Sequence, residues 1–403
     1  MTFITYEESI KNLQKSFTEP TLTEKLFLGD AQGRILASDI IADHNSPEFP
    51  TSAMDGYAIK HDDQALGRIA ITGAVPAGTF NKEEIVGGQC VKTFTGSLMS
   101  SGTDTLIPIE NVEVEGNEIV IKEEVPKGFS VRPVGENYTE GEVLIKKGSQ
   151  IDFAEIGVLA SLNISQVEVF KQPRVAIIST GSEILDVGEE QTNPSQIRSS
   201  NQFTLEALAS KAGAKTVRAP LQKDEKDIIE QTITDMLKDN DIVVTTGGVS
   251  VGDYDFVKDI IANFEPEYIT KGVMIKPGQH IKIVKIGKKY IFALPGFPYS
   301  STVTFILYVI PLIFQMQGKD ATLPIVKAKL MQNYKKKSYK TEFVAINLNY
   351  IDGEYQADFE GKRSGSSAIL TNMLGDVGLL IVAKDSTDLS AGDIVEVINL
   401  KAL

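Results

Sequence analysis

From Pro173 to Gln317, short apolar runs alternate with longer stretches of helical periodicity. "RVAIIS" (174–179) predicts a buried strand, and "NQFTLEALASKAGA" (201–214) a helix with Asn201 as its cap and Gly213 as its stop. The pattern continues through a strand at "TVRAP", a helix at "EKDIIEQTITDMLKD", a strand at "DIVVTT" and a helix at "YDFVKDIIANF". A hairpin over "HIKIVKIGKKYIFAL" and a helix after "PGFPYSS" complete it. Strands joined through helices pair in parallel, so the expectation is an open sheet covered on both faces.

The rest of the chain reads differently. Residues 46–136 are rich in β-formers and turn pairs ("EVEGNEIVI", "VPKG"), and 322–403 alternate apolar and polar positions around "NYIDGEY". Both predict all-β modules. The stretch 141–170 mixes strand and helix signals and reads as a connector. At the N-terminus, Thr5 and Glu8 resemble a capping box ahead of Tyr6, Ile10, Leu13 and Phe17, which fall near helical spacing. That start lacks the basic and apolar regions of a secretory signal. The most apolar run, "VTFILYVIPLIF", has 12 residues with Pro311 inside it, short of the roughly 20 that span a bilayer. It is expected as a buried core helix.

Composition narrows the function classes. At 403 residues the chain exceeds the usual size of one domain, about 150 residues, and two to four domains are expected. With 40 basic against 54 acidic residues, net −14, long-range repulsion opposes a broad nucleic-acid or anionic-membrane surface. An anionic ligand then needs a local basic pocket. One cysteine, Cys90, excludes an internal disulfide or a thiolate-rich zinc site, and three scattered histidines disfavour a His-based metal centre. A reducing, cytoplasmic location is expected.

In an open α/β sheet, ligands bind beyond the C-terminal strand ends, where three glycine-bearing turns fall: "STGSE" (179–183), "TTGGVSVGD" (245–253) and "LPGFP" (294–298). Gly247 and Gly248 let backbone N–H groups approach a ligand, and the following helix aims its positive end the same way. Asp253 and Asp255 beside them read either as a helix cap and a first-turn acid or as carboxylates sharing a divalent cation with a phosphate. Thr180, Gly181, Ser182 and Glu183 occupy a second strand end, where Ser182 or Glu183 could instead cap a turn. Lys271 and Lys276 either bring cations to the same rim or are simply solvated in a surface turn. Asp55 in "SAMDGYA" and Thr95 in "TFTGS" lie in small-residue loops, whereas the run Lys335–Lys337 reads as a solvated edge or loop.

The order of these motifs carries more than any one of them. "PTSAMDGYA", "TFTGS", "GTDTLIP", "VRPVGEN", "ISTGSEIL", "IRSSN", "TTGGVSVGDYDFVK", "IKPG" and "LPGFPYS" together resemble the molybdopterin molybdenumtransferases, the family of bacterial MoeA and the gephyrin E domain. The resemblance runs from about residue 4 to residue 400. It implies a multidomain α/β plus β fold: a three-layer α/β molybdopterin-binding domain (1–18 and 171–320), a connector and dimerisation domain (19–45 and 137–170), a β-rich cleft-capping domain (46–136) and a C-terminal β-barrel-like domain (321–403).

The implied reaction inserts molybdenum from molybdate into adenylylated molybdopterin with release of AMP, with Mg2+ as cofactor. It implies Asp255, Asp253, Glu183 and Asp55 as catalytic acids, the first three also at the metal. Thr95, Thr180, Gly181, Ser182, Gly247, Gly248, Ser250, Lys271, Lys276, Pro295 and Pro298 would bind substrate. Further implied are a homodimer in which Asp55 and Thr95 act on the other subunit's cleft, and contacts with the upstream molybdopterin adenylyltransferase and acceptor molybdoenzymes. The chain departs from the family pattern at "PGFP", where Phe297 replaces an amide, at "KPGQH", where Gln279 replaces a lysine, and at Asn137. Lys340 in "KTEF" and Ser366 in "SGSS" stand where the family has an arginine and an oxyanion-binding serine. A non-catalytic pterin-binding or scaffold protein of the same fold, or a tungstate-using paralogue, are the alternatives.

Overall fold

The computed structural model describes residues 3–18, 20, 22–248, 256–363 and 367–403. The chain forms two compact units, one of Phe27–Gln32 and Ser38–Val167, the other of Met1–Leu26, Gly33–Ala37 and Glu168–Leu403.

In the larger unit the expected α/β sheet is present. Its six strands run in the order Lys215–Arg218, Arg174–Ser179, Ile242–Thr246, Lys289–Leu294, Lys282–Ile286 and Glu267–Thr270. The first four are mutually parallel, Lys282–Ile286 runs antiparallel to them, and Glu267–Thr270 pairs antiparallel with Lys282–Ile286. Side chains alternate between the two faces. Val175, Ile177, Ile242 and Val244 join one core with Leu205 and Ala209 of the Asn201–Lys211 helix. Ala176, Ile178 and Val243 join another with Ile229 and Ile233 of the Lys226–Asp239 helix and Ile260 of the Phe256–Asn263 helix. Both faces are thus covered, which makes three layers.

The helix starting at Asn201 corrects one expectation. Asn201 is its first residue rather than its cap, because its amide is drawn elsewhere: Nδ2 donates to the Gly296 carbonyl at 2.8 Å, and Oδ1 accepts from Ser301 Oγ at 3.3 Å.

The apolar run lies in a longer helix than the sequence suggested, Pro298–Met316, 19 residues. By length and composition it could cross a membrane, yet nearly all of it is buried inside this unit. Its polar start is hidden by self-bonding, with Thr302 Oγ1 donating to the Pro298 carbonyl at 2.7 Å and Thr304 Oγ1 to that of Ser300 at 2.8 Å. Pro311 has no N–H for the preceding turn, and the helix widens to a π turn over Phe305–Val309 just before it.

The C-terminal strands Ile325–Leu330, Thr341–Ile351, Glu354–Asp358, Val377–Val382 and Ile394–Asn399 close into a five-stranded barrel, with the Thr341–Ile351 strand pairing on both sides. Ile275–Lys276 adds a short parallel strand to it. In the smaller unit, six strands between Gly56 and Ile121 form one mixed sheet around Tyr57, Ile59, Ile107 and Ile119. The helix Phe153–Ser161 of that unit carries a full capping box between Asp152 and Glu155.

Candidate functional site

Parallel pairing brings the C-terminal ends of Arg174–Ser179, Ile242–Thr246 and Lys289–Leu294 to one sheet edge. After Arg174–Ser179 the chain moves outward to Lys215–Arg218 and then returns to pair Ile242–Thr246 on the other side. Such a reversal leaves a crevice at the strand ends. The turns around it are tied together: Ser179 Oγ and Thr246 Oγ1 are 2.9 Å apart, and the Gly247 N–H donates to the Leu294 carbonyl at 3.2 Å. Gly247 has φ +95°, and a Cβ there would lie 3.0 Å from the Thr180 carbonyl oxygen, so glycine is what lets these two turns meet.

A cavity of about 570 Å³ opens at this edge. Thr180, Gly181, Glu183, Gly247, Gly248, Pro295 and Pro298 line it, as expected from the sequence. Arg198 and Asn201, which belong to the "IRSSN" motif, also line it, as does Asp224, which no sequence motif had marked. Phe297 stands on its rim, 61% exposed.

Ser182 instead serves the turn, its N–H donating to Asp224 Oδ2 at 3.0 Å and its Oγ accepting from the Asp224 N–H at 3.3 Å. Lys271 lines neither large cavity of this unit. Its ammonium sits 4.1 Å from the centre of the Tyr268 ring. Ser250, Asp253, Asp255 and Ser366 lie outside the described residues. Asp55 and Thr95 belong to the smaller unit and are hydrogen-bonded to each other.

Lys276 lines a second cavity, of about 580 Å³, between the Ile275–Gln279 segment and the barrel. Among the described residues six cations line it, Lys276, Lys335, Lys337, Lys340, Lys362 and Arg363, against the single carboxylate of Glu342. In a chain of net charge −14 this is a concentrated positive field, suited to a small anion. The Lys335–Lys337 run is therefore not simply a solvated edge. Lys335 and Lys337 face the cavity, while Lys336 Nζ donates to the carbonyls of Ala383 and Ser386 at 2.7 and 3.2 Å. Lys362 is similarly tied to the carbonyls of Asn372 and Leu374, and burial holds its pKa below the usual lysine range.

Glu342 is buried, yet it accepts from Tyr334 Oη at 2.7 Å and Ser338 Oγ at 2.9 Å, with Lys276 Nζ at 3.4 Å. Burial pushes its pKa up, but these hydrogen bonds, the Lys337 N–H and the Lys276 charge outweigh it and hold the carboxyl below its ordinary value. The two cavities share Gly278, Gln279 and Ser300 as a common wall.

Glu183 and Asp224 supply hard carboxylate oxygens to the turn cavity, a donor type that fits Mg2+. Among the described residues no group of three or more His, Cys, Asp or Glu is placed to hold a metal by itself. Burial pushes the Cys90 thiol up to about 12, which leaves it a core residue rather than a nucleophile.

Residues 4–163 match the MoeA N-terminal region (domains I and II), residues 176–315 match the family described as "Probable molybdopterin binding domain", and residues 327–400 match the MoeA C-terminal region (domain IV). A curated molybdopterin molybdenumtransferase from a Nostoc species is 32% identical, covering 97% of this chain and 92% of its own. One of the same name from Haemophilus influenzae is 30% identical, covering 98% of each. The crystal structure of the molybdopterin biosynthesis MoeA protein from Pyrococcus horikoshii OT3 superposes with a TM-score of 0.83 at 29% identity, covering 98% of this chain and 99% of that one.

Proposed function

The chain belongs to the MoeA family, and from that premise we propose that it is a molybdopterin molybdenumtransferase, inserting molybdenum from molybdate into adenylylated molybdopterin with release of AMP. The observation that carries this reading is the pair of cavities with one shared wall. One offers glycine amides and carboxylates to a phosphorylated heterocycle, and the other offers cations to a small oxyanion. Two such ligands bound side by side are held within reacting distance.

The work of the protein is positioning and charge neutralisation. Water adds to one phosphorus of the pyrophosphate link, the bridging P–O bond breaks, and AMP leaves. The two dithiol S–H groups then displace one oxo ligand of molybdate, forming two Mo–S bonds, and their two protons leave with that oxygen as one water. Thr180, Gly181, Gly247 and Gly248 orient the phosphates, and Lys276, Lys335, Lys337 and Lys340 hold the oxyanion. Mg2+, when bound, offsets charge on the phosphate oxygens, and Glu183 and Asp224, joined by Asp253 and Asp255, would hold it. Because the pterin supplies both sulfurs to the metal, no protein thiolate is needed. In this reading the protein works in the cytoplasm as a homodimer, with Asp55 and Thr95 of each copy completing the other copy's site. It receives substrate from an adenylyltransferase and passes its product to molybdoenzymes.

The test incubates purified protein with adenylylated molybdopterin, molybdate and Mg2+. AMP release and cofactor formation above a no-protein control are expected, and Asp255→Ala should remove them while leaving the protein folded. Calorimetric binding without AMP release would favour a pterin-binding scaffold. Faster turnover with tungstate would favour a tungstate-using paralogue.

A further inference from the structure

Gln279 lines both cavities, Lys340 lines only the cationic one, and His280 only the turn cavity. Lys340 Nζ donates to Gln279 Oε1, and Gln279 Nε2 lies 2.7 Å from His280 Nε2. An ammonium has only donors, so the amide must turn its oxygen to Lys340 and its NH2 to the histidine. His280 Nε2 must then present a lone pair, and the ring is neutral with its proton on Nδ1. The surroundings agree. Burial first, then the charges of Lys282 and Lys340, hold the His280 pKa below its usual value, and among the described residues the Phe3 ring lies edge-on with centroids 5.7 Å apart. The backbone is fixed as well, since the Gln279 carbonyl accepts from the Val273 N–H at 2.9 Å, so the amide rather than the loop must respond to a change.

We propose that Gln279 is a positioning residue whose amide couples the Lys340 ammonium to the protonation of His280, so that an anion in the cationic cavity and a proton on His280 favour each other. Placing a solvent proton on Nε2 converts that atom to a donor, and the amide turns its oxygen toward it. Lys340 then faces an NH2 group, loses its acceptor and directs its hydrogens into the cavity. An anion that takes Lys340 does the reverse, freeing the amide oxygen for an imidazolium. Linkage makes the two effects equal in size. The assignment of that anion as molybdate rests on the function proposed above; the amide coupling itself does not.

The test is an NMR titration of the imidazoles in the full chain, with His44→Gln and His61→Gln identifying the His280 signal. Without ligand, Lys340→Met should raise the His280 midpoint by about one pH unit, the size expected when a charge-assisted hydrogen bond no longer fixes the amide. In a Gln279→Leu background, or Gln279→Met should the first variant not fold, the same substitution should move it by less than half as much. Equal shifts in both backgrounds would mean through-space charge alone and would overturn the proposal. Saturating molybdate should likewise raise the wild-type midpoint and do so by less than half as much without Gln279. Molybdate that binds by calorimetry yet leaves the wild-type midpoint unmoved also overturns it. Molybdate that fails to bind counts against the insertase reading, and the ligand-free comparison then decides the coupling.

Discussion

Asp55 accepts two hydrogen bonds from Thr95, one from its hydroxyl at 2.7 Å and one from its backbone N–H at 2.8 Å. The hydroxyl first, then the N–H, hold the exposed carboxyl below its ordinary pKa. Thr95→Val should raise the Asp55 midpoint in a carboxylate NMR titration, and Thr95→Ser should restore it. A depressed carboxylate favours the folded state above its unfolded pKa, and that contribution is lost as pH falls through the folded one. If Asp55 acts on a substrate, Thr95→Val should also cut turnover by about tenfold to a hundredfold while Thr95→Ser stays near wild type.

Glu342 should matter to stability as well as charge. Its carboxylate collects the Tyr334 and Ser338 hydroxyls beside Lys276, so Glu342→Gln should cost about 1–3 kcal/mol in denaturant unfolding. Its folded pKa is lowered, so this stabilisation is complete above the unfolded value of about 4.3 and fades as pH falls toward the folded value. Melting temperature plotted against pH should therefore fall less steeply below about pH 4.5 in the variant than in the wild type.

Gly278→Ala should be destabilising for two separable reasons. The residue has φ +95°, and an added Cβ would lie 2.2 Å from Thr304 Cγ2. A loss of about 1–3 kcal/mol is expected. Thr304→Ser, which removes that methyl, should recover part of it, and the backbone strain should persist in the double variant. No recovery would mean that the contact with Thr304 is not what limits the site.

Phe297 offers a flat apolar face at the cavity rim while leaving 61% of itself to solvent. Phe297→Ala should therefore leave the melting temperature nearly unchanged. Binding of a planar heterocycle such as a pterin, measured by calorimetry, should weaken by about three- to tenfold, the range of one lost ring contact.

Much of the α/β domain was legible because strand and helix periods are local, and glycines at strand ends mark where a parallel sheet receives ligands. Thr180, Gly181, Glu183, Gly247 and Gly248 stand at such strand ends and line one cavity. The cationic cavity was not legible. Lys335, Lys337 and Lys340 precede the Thr341–Ile351 strand, Lys362 and Arg363 follow the Glu354–Asp358 strand and Lys276 lies before the barrel in sequence, so no common spacing marks them and only the pairing of the Thr341–Ile351 strand with its neighbours brings them together. Ser182 and Lys271 were expected at the ligand because they flank the right turns. Their side chains have partners of their own, Ser182 bonding Asp224 and Lys271 sitting over Tyr268. Helix 298–316 was read as starting after "PGFPYSS" because Ser300 and Ser301 look polar in sequence, although Ser301 Oγ satisfies itself on the Pro298 carbonyl of its own helix.

That helix also bears on how the protein is made. Every strand of the α/β sheet, from Arg174 to Leu294, is synthesised before Pro298–Met316 leaves the ribosome. Domains form as units during synthesis at about 5–20 residues per second, N-terminal parts first. The most apolar segment of the chain thus emerges after the sheet that shares its core, with barrel residues of that core such as Phe343, Leu379 and Ile398 still to come, which shortens the interval in which a targeting factor or another nascent chain could capture it.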